Sequence, residues 1–232
     1  MTSITWRDAT GQLKERFLEA THEKVLVLDV DDTILSGNAG ALFSRYLYAC
    51  GRLELLTLLK LPFYQVAYKF GVLNYVKMVE RILESLKSCP ISILEECGRQ
   101  CYRDDVKGKL RSGAVALISE LKELGYRIVL ASSSPEAILK PLAHDLKVEW
   151  VSTRCEVVKG HYSGRVLGEP CYGLGKPLLL QDLFSDPCYI AFSDSITDRP
   201  LLEGATLAYV VTPGARLRRL ARTKGWSVID SD

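Results

Sequence analysis

The 232 residues carry 30 Lys and Arg against 28 Asp and Glu, a formal net charge of +2, with 47% hydrophobic residues. Such proportions fit a soluble globular enzyme, long enough for one main core and a smaller unit inserted into it. Near-neutral charge removes the electrostatic footprint of a nucleic-acid binder, and no stretch approaches the ~20 apolar residues of a transmembrane helix.

The opening residues, up to Leu18, are polar and charged and lack the apolar core of a signal peptide. Seven cysteines are scattered along the chain without a CxxC pair, which predicts free thiols and a reducing, cytoplasmic compartment. The short apolar run 24–28 (KVLVL) reads as a buried parallel strand.

Residues 38–105 show helical spacing, no clear strand, and many Leu, Tyr and Lys. They read as a helical cap inserted into an α/β core formed by 1–37 and 106–232. Within the insert, Glu54, Lys60, Pro62, Gln65 and Lys69 interrupt the apolar stretch 53–76. Helices packing the cap are the plain expectation, with peripheral membrane contact as the alternative.

Beyond the insert, 114–124 has helical period and stops at Gly125. The run 127–131 (RIVLA) reads as a strand and 135–146 as a helix opening with Pro. Residues 149–155 suggest another strand, and 154–167, with its Gly-His-Tyr-Ser-Gly turn, a hairpin beside the sheet. A helix over 177–184 precedes strands at 189–192, 207–211 and 227–229. Arg216, Arg218, Arg219, Arg222 and Lys224 mark a solvated surface helix. Alternating strand and helix predicts an α/β fold with a doubly wound parallel sheet.

Three acids, Asp29, Asp31 and Asp32, directly follow the first strand, with Thr33 next. Open parallel sheets bind ligands beyond the carboxyl ends of their strands. Crowded carboxylates repel one another there, and a hard divalent cation relieves that repulsion. A second pair, Asp194 and Asp198, follows the strand 189–192, so two distant acidic clusters can meet at one metal. Ser132, Ser133 and Ser134 follow the strand 127–131 and suit phosphate oxygens. Lys176, in GLGKP, opens a helix where the dipole gives a cation no benefit; a bound phosphate would explain it. The spacing is not that of a Walker loop. His22, His144 and His161 show no metal or triad spacing and receive no role.

DVDDT, the serine run, GLGK and SDSITD occur in the order of the four motifs of haloacid dehalogenase superfamily phosphatases, and the resemblance spans nearly the whole chain. It is nearest the branch that contains phosphoserine phosphatase. The resemblance implies Asp29 as a nucleophile that becomes an aspartyl phosphate. It implies Mg²⁺ on Asp29, Asp194 and Asp31, the last through its backbone carbonyl. Asp31 would also serve as acid and then base. Ser132 and Ser133, with Thr33 and Lys176, would hold the phosphoryl group, and Asp198 would support the metal water and Lys176.

The expected substrate is a small phosphomonoester, with residues 38–105 choosing it. In phosphoserine phosphatase a glutamate nine residues after the nucleophile helps hold the substrate amino group; here Asn38 stands there. Cap aromatics (Phe43, Tyr46, Tyr48, Phe63, Tyr64, Tyr68, Phe70 and Tyr75) and a loose resemblance to phosphatidylglycerophosphatase C keep a lipid phosphate open, with Lys60, Lys69 and Lys77 facing anionic lipid. A third reading is a binding protein of this fold without turnover; the presence of both Asp29 and Asp31 opposes it.

Overall fold

The computed structural model describes residues 3–17, 24–69, 74–184 and 188–231. His22 and Phe70, and the side chains of Tyr68 and Lys69, lie outside the described residues.

Seven strands form one sheet in the order β1-β9-β8-β7-β2-β3-β4, with every pair parallel. The strands are β1 (Ile4–Thr5), β2 (Val25–Leu28), β3 (Arg127–Pro135), β4 (Glu149–Thr153), β7 (Tyr189–Ser193), β8 (Leu207–Val211) and β9 (Ser227–Ser231). A separate antiparallel pair joins β5 (Cys155–Val158) to β6 (His161–Val166). The central strand β2 is wholly buried, as its unbroken VLVL run requires when both sheet faces are covered.

Alternate residues serve opposite faces. Leu26, Leu28, Ile128, Leu130 and Phe192 join one apolar cluster, and Val25, Val27, Val129, Ala131 and Ala191 join the other. The first face is covered by α1 (Trp6–Phe17), α6 (Ser112–Glu123) and α7 (Glu136–Leu146). Trp6 stacks on Phe192 at 5.5 Å, and Phe192 stacks on Tyr209 at 4.5 Å. The second face carries residues of α8 (Gly175–Gln181), α9 (Arg199–Gly204) and α10 (Ala215–Lys224). The basic side of α10 faces water as expected, while Leu217 and Ala221 pack inward.

Between β2 and α6 the chain builds the helical insert: α2 (Ala39–Ala49), α3 (Leu55–Lys69), α4 (Tyr75–Leu83) and α5 (Ile91–Cys101). Its two connections pair with each other, through Ser36 N–H to the Lys109 carbonyl at 2.8 Å and Arg111 N–H to the Ile34 carbonyl at 2.9 Å. Among the described residues the insert has no separate core. Phe43, Leu47, Leu94 and Cys97 belong to the same buried cluster as Trp6 and Leu26.

Four local expectations change. The strand expected at 127–131 runs on through the serines to Pro135, because Ser132 pairs with Ser152 and a register shift accommodates the next residues. The helix expected at 177–184 begins two residues earlier and ends at Gln181. The predicted hairpin exists, but it docks on the insert rather than beside the main sheet: Ile91 N–H reaches the Gly160 carbonyl and Ser88 N–H the Tyr162 carbonyl. Finally, β1 and α1 escaped the sequence reading; Trp6, Ala9 and Leu13 form a narrow buried stripe in an otherwise charged segment. All seven cysteines are free thiols. No helix among the described residues is long and apolar enough to cross a membrane.

Candidate active site

β2 pairs with β3 on one side and β7 on the other, so connections diverge there and leave a crevice at the strand ends. Asp29 sits immediately after β2, with its N–H bonded to the Phe192 carbonyl of β7 at 2.9 Å. Asp32 takes a left-handed φ of 54°, which an Asp tolerates, and its N–H closes the turn onto the Gly37 carbonyl. This tight turn drops Thr33 beneath the acids. Its hydroxyl lies 3.0 Å from Asp29 Oδ2 and 3.3 Å from Asp194 Oδ1, and it accepts the Asp194 N–H at 2.9 Å. Acids from two distant strand ends are thereby tied together by one buried threonine.

Lys176 enters from the first turn of α8 and is only 2% exposed. Its Nζ lies 2.6 Å from Asp29 Oδ1 and 2.6 Å from Asp198 Oδ2. Ser193 donates to Asp198 Oδ2 at 2.7 Å, fixing the second carboxylate. Asp31 points the other way. Its Oδ1 accepts the Ala39 N–H at the start of α2, at 2.6 Å, and its Oδ2 the Ser134 hydroxyl at 2.9 Å. Asp31 therefore joins three places: the strand end, the insert and the serine run.

Burial lifts the Asp29 carboxyl well above the usual carboxylate range; Lys176 pulls against this, while Asp198, Asp194 and Asp31 add to it. Burial also opposes charge on Lys176, but Asp198 and Asp29 overcome it and hold the ammonium above its ordinary range. Asp194 is raised to about 6 by burial, with Asp32 and Asp198 adding. Burial likewise raises Asp31, against the hydrogen bonds from Ala39 and Ser134. A pocket of about 210 Å³ is lined by five carboxylates, Asp29, Asp31, Asp32, Asp194 and Asp198, facing the one ammonium of Lys176 among the described residues. This surplus of hard, negatively charged oxygens fits a divalent cation such as Mg²⁺. No three His, Cys, Asp or Glu side chains form a ready cluster among the described residues. A cation held between Asp29 and Asp194 would complete its shell with a backbone carbonyl and water, as Mg²⁺ does.

Of the serines, Ser133 lines the pocket. Ser132 is fully buried, and its Oγ accepts the Ser134 N–H at 3.1 Å. A second cavity, of about 400 Å³, opens beneath the insert and shares Asp31, Asn38 and Ser133 with the polar pocket. At the junction Tyr75 of α4 stacks on Tyr172 at 4.1 Å and donates to the Ser133 carbonyl at 2.9 Å. Burial pushes the Tyr75 phenol up to about 12, so it donates as a neutral hydroxyl. The sequence names Tyr75 only among the cap aromatics. Nothing in its spacing signals a partner in the CYGLGK segment, nor the contact between Ser134 and Asp31. Lys77 is exposed and lines a pocket of mixed charge with Glu80, Arg81 and Glu84.

A family profile described as haloacid dehalogenase-like hydrolase matches residues 26–203. A probable phosphatase of Mycobacterium tuberculosis is 30% identical over 211 residues, covering 87% of this chain and 73% of that one. Among solved structures, a protein of unknown function from Bordetella pertussis superposes with a TM-score of 0.83 at 24% identity, covering 90% of this chain and 99% of that one. A substrate-bound phosphoserine phosphatase superposes with a TM-score of 0.67 at 18% identity, covering 92% and 96%.

Proposed function

Since the chain belongs to the haloacid dehalogenase-like hydrolase family and is a phosphatase of the type its relatives are named for, we propose that it hydrolyses a small organic phosphomonoester with Mg²⁺ through a phosphorylated Asp29. The observation that supports this best is Thr33, which holds Asp29 and Asp194 together from two strand ends, with Lys176 on the other oxygen of Asp29.

In this reading Asp29 attacks phosphorus and the bond from phosphorus to the ester oxygen breaks. Asp31, at the boundary between polar pocket and cavity, gives the departing oxygen its proton. Water then attacks the acyl phosphate and loses its proton to Asp31, releasing phosphate and restoring Asp29. Lys176 pairs with phosphoryl oxygens, and Asp198 and Ser193 keep its ammonium aimed there. Ser133 and the backbone around it border the phosphoryl position, while Ser132 stiffens that turn from below. Thr33 holds the two carboxylates rather than lining the pocket. When bound, Mg²⁺ supplies charge neutralisation on the phosphoryl oxygens and between the carboxylates.

Release of phosphate from p-nitrophenyl phosphate, titrated with Mg²⁺, tests the reading. Asp29→Asn should reduce turnover at least about 10³-fold while the protein keeps the circular dichroism of its folded state. Wild-type turnover in that variant, or turnover indifferent to chelation, would refute it.

A further inference from the structure

We propose that the alcohol this site releases is uncharged and largely apolar, a chain or ring of up to about ten heavy atoms; the inference rests on the phosphatase reading above. The cavity that holds the leaving group carries the argument. It joins the polar pocket at Asp31, Asn38 and Ser133, so an ester with its phosphorus at Asp29 directs its alcohol into it. Leu58, Leu61 and Pro62 of α3 and Met78, Val79 and Ile82 of α4 line it. Its volume of about 400 Å³ lies within the range of small-molecule sites.

The carboxylate of this cavity is already engaged. Among the described residues Asp31 is the one carboxylate lining it, and both its oxygens accept hydrogen bonds from Ala39 and Ser134. Asn38 caps α2, with its Oδ1 taking the Ala41 N–H at 2.8 Å. An ammonium group on the alcohol would therefore lose its hydration and meet no uncommitted carboxylate, which is unfavourable in an apolar cavity. Arg45 is the one cation among the described lining residues, and it is exposed. An amino acid such as serine, which carries an ammonium on its leaving group, fits this lining poorly; an alkyl or aryl group fits it well.

The same helix has a second apolar side. Leu55, Leu56, Leu59 and Phe63 of α3 are between 49% and 67% exposed. An alkyl phosphate could thus arrive dissolved in water or from a lipid surface; the chemistry recognised is the same.

The test is kcat/KM for n-alkyl phosphates from ethyl to octyl, against O-phosphoserine, with p-nitrophenyl phosphate reporting basal activity. The inference expects a rise of about two- to fourfold per methylene until the cavity fills, and phosphoserine at least about tenfold below butyl phosphate. A flat series, or preference for phosphoserine, in an enzyme that cleaves the aryl ester overturns this inference alone. Failure to cleave any ester overturns the phosphatase reading and this inference with it. Val79→Trp, which fills the cavity, should reduce the octyl-to-ethyl ratio at least about tenfold. Met78→Glu should raise the phosphoserine-to-butyl ratio by a similar factor. Unchanged ratios in both folded variants place the alcohol elsewhere and overturn the assignment. Octyl phosphate free in solution and embedded in phosphatidylcholine vesicles separates the sources: Leu59→Ser slows only the vesicle reaction if the ester comes from a bilayer, and neither if it comes from water.

Discussion

The floor of the polar pocket and the cavity beneath the insert meet at Asp31, yet they are built on opposite principles. On the floor, buried polar groups are cross-linked: Thr33 to two acids, Lys176 to two more oxygens, Ser193 to Asp198. In the cavity, Leu58, Leu61 and Pro62 of α3 and Met78, Val79 and Ile82 of α4 offer apolar surface without hydrogen-bonding side chains. The difference teaches where chemistry and selectivity reside. A fixed set of charges can serve any phosphoryl group, because every ester presents the same one. An apolar lining distinguishes only by size, shape and hydration.

Removing the Lys176 ammonium is the most severe way to break the floor. In Lys176→Met, Asp29 and Asp198 keep their burial and lose their shared cation. Loss of one partner from a buried pair destabilises by about 3–5 kcal/mol, and loss of a charge aimed at the phosphoryl group lowers kcat/KM by about 10²–10³. The decisive feature is uniformity: all esters should suffer the same factor, measured as kcat/KM across the alkyl series. A loss that varied with the alcohol would mean the two regions are not separable.

A gentler break falls between insert and core. Gly98 of α5 lies against α7, and a Cβ there would stand 1.9 Å from the Ala137 carbonyl oxygen. Backbone is not easily displaced, so Gly98→Ala should force the helices apart and destabilise by about 1–3 kcal/mol. Denaturant unfolding measures this. Because the insert shares one buried cluster with the sheet, unfolding should remain a single transition; two transitions would show a cap that melts alone.

The comparison also explains what the sequence made legible. Asp29, Asp31, Lys176, Asp194 and Asp198 could be named because each lies just beyond a strand or at a helix start, where a local pattern already fixes position. The parallel sheet was readable for the same reason, from runs such as VLVL buried on both faces. Strand β3 exceeded its reading because Ser and Pro are weak strand formers, and pairing with β4 outweighed that tendency. Helix α1 was missed because its buried stripe, Trp6, Ala9 and Leu13, is thin among charges. The cavity was not legible at all. Leu58 and Val79 come to line one cavity through the packing of α3 on α4, and the sequence shows only that both helices are apolar.

Tyr75 tests the seam between the two regions. In Tyr75→Phe the ring can still stack on Tyr172, but the hydroxyl bond to the Ser133 carbonyl is gone. One neutral hydrogen bond contributes about 1 kcal/mol, so KM should rise by roughly fivefold with kcat little changed. An equal fall in kcat would instead place the hydroxyl among the groups that act on the reacting bond.

A carboxylate that lines neither region calibrates the scale. Asp230, at the end of β9, is bonded by Arg218 at 2.9 Å and by Ser3, which lowers its pKa to about 2. Arg218 is the leading cause, and the pair is about one-third exposed, so solvent screening limits its contribution to at most about 1 kcal/mol. A depressed folded pKa makes that stabilisation present above the unfolded value of ~3.9 and lost as pH falls towards about 2. Asp230→Asn should therefore lower the unfolding free energy slightly at pH 6 and make no difference near pH 2, read from denaturant curves of both proteins. The buried acids of the floor shift upward and Asp230 shifts downward. What separates them is surroundings: at the end of β9 one cation and a hydroxyl meet one exposed acid, whereas in the pocket two buried acids share one ammonium. If Asp230→Asn proved as damaging as Lys176→Met, burial would not be the variable that sets the floor apart.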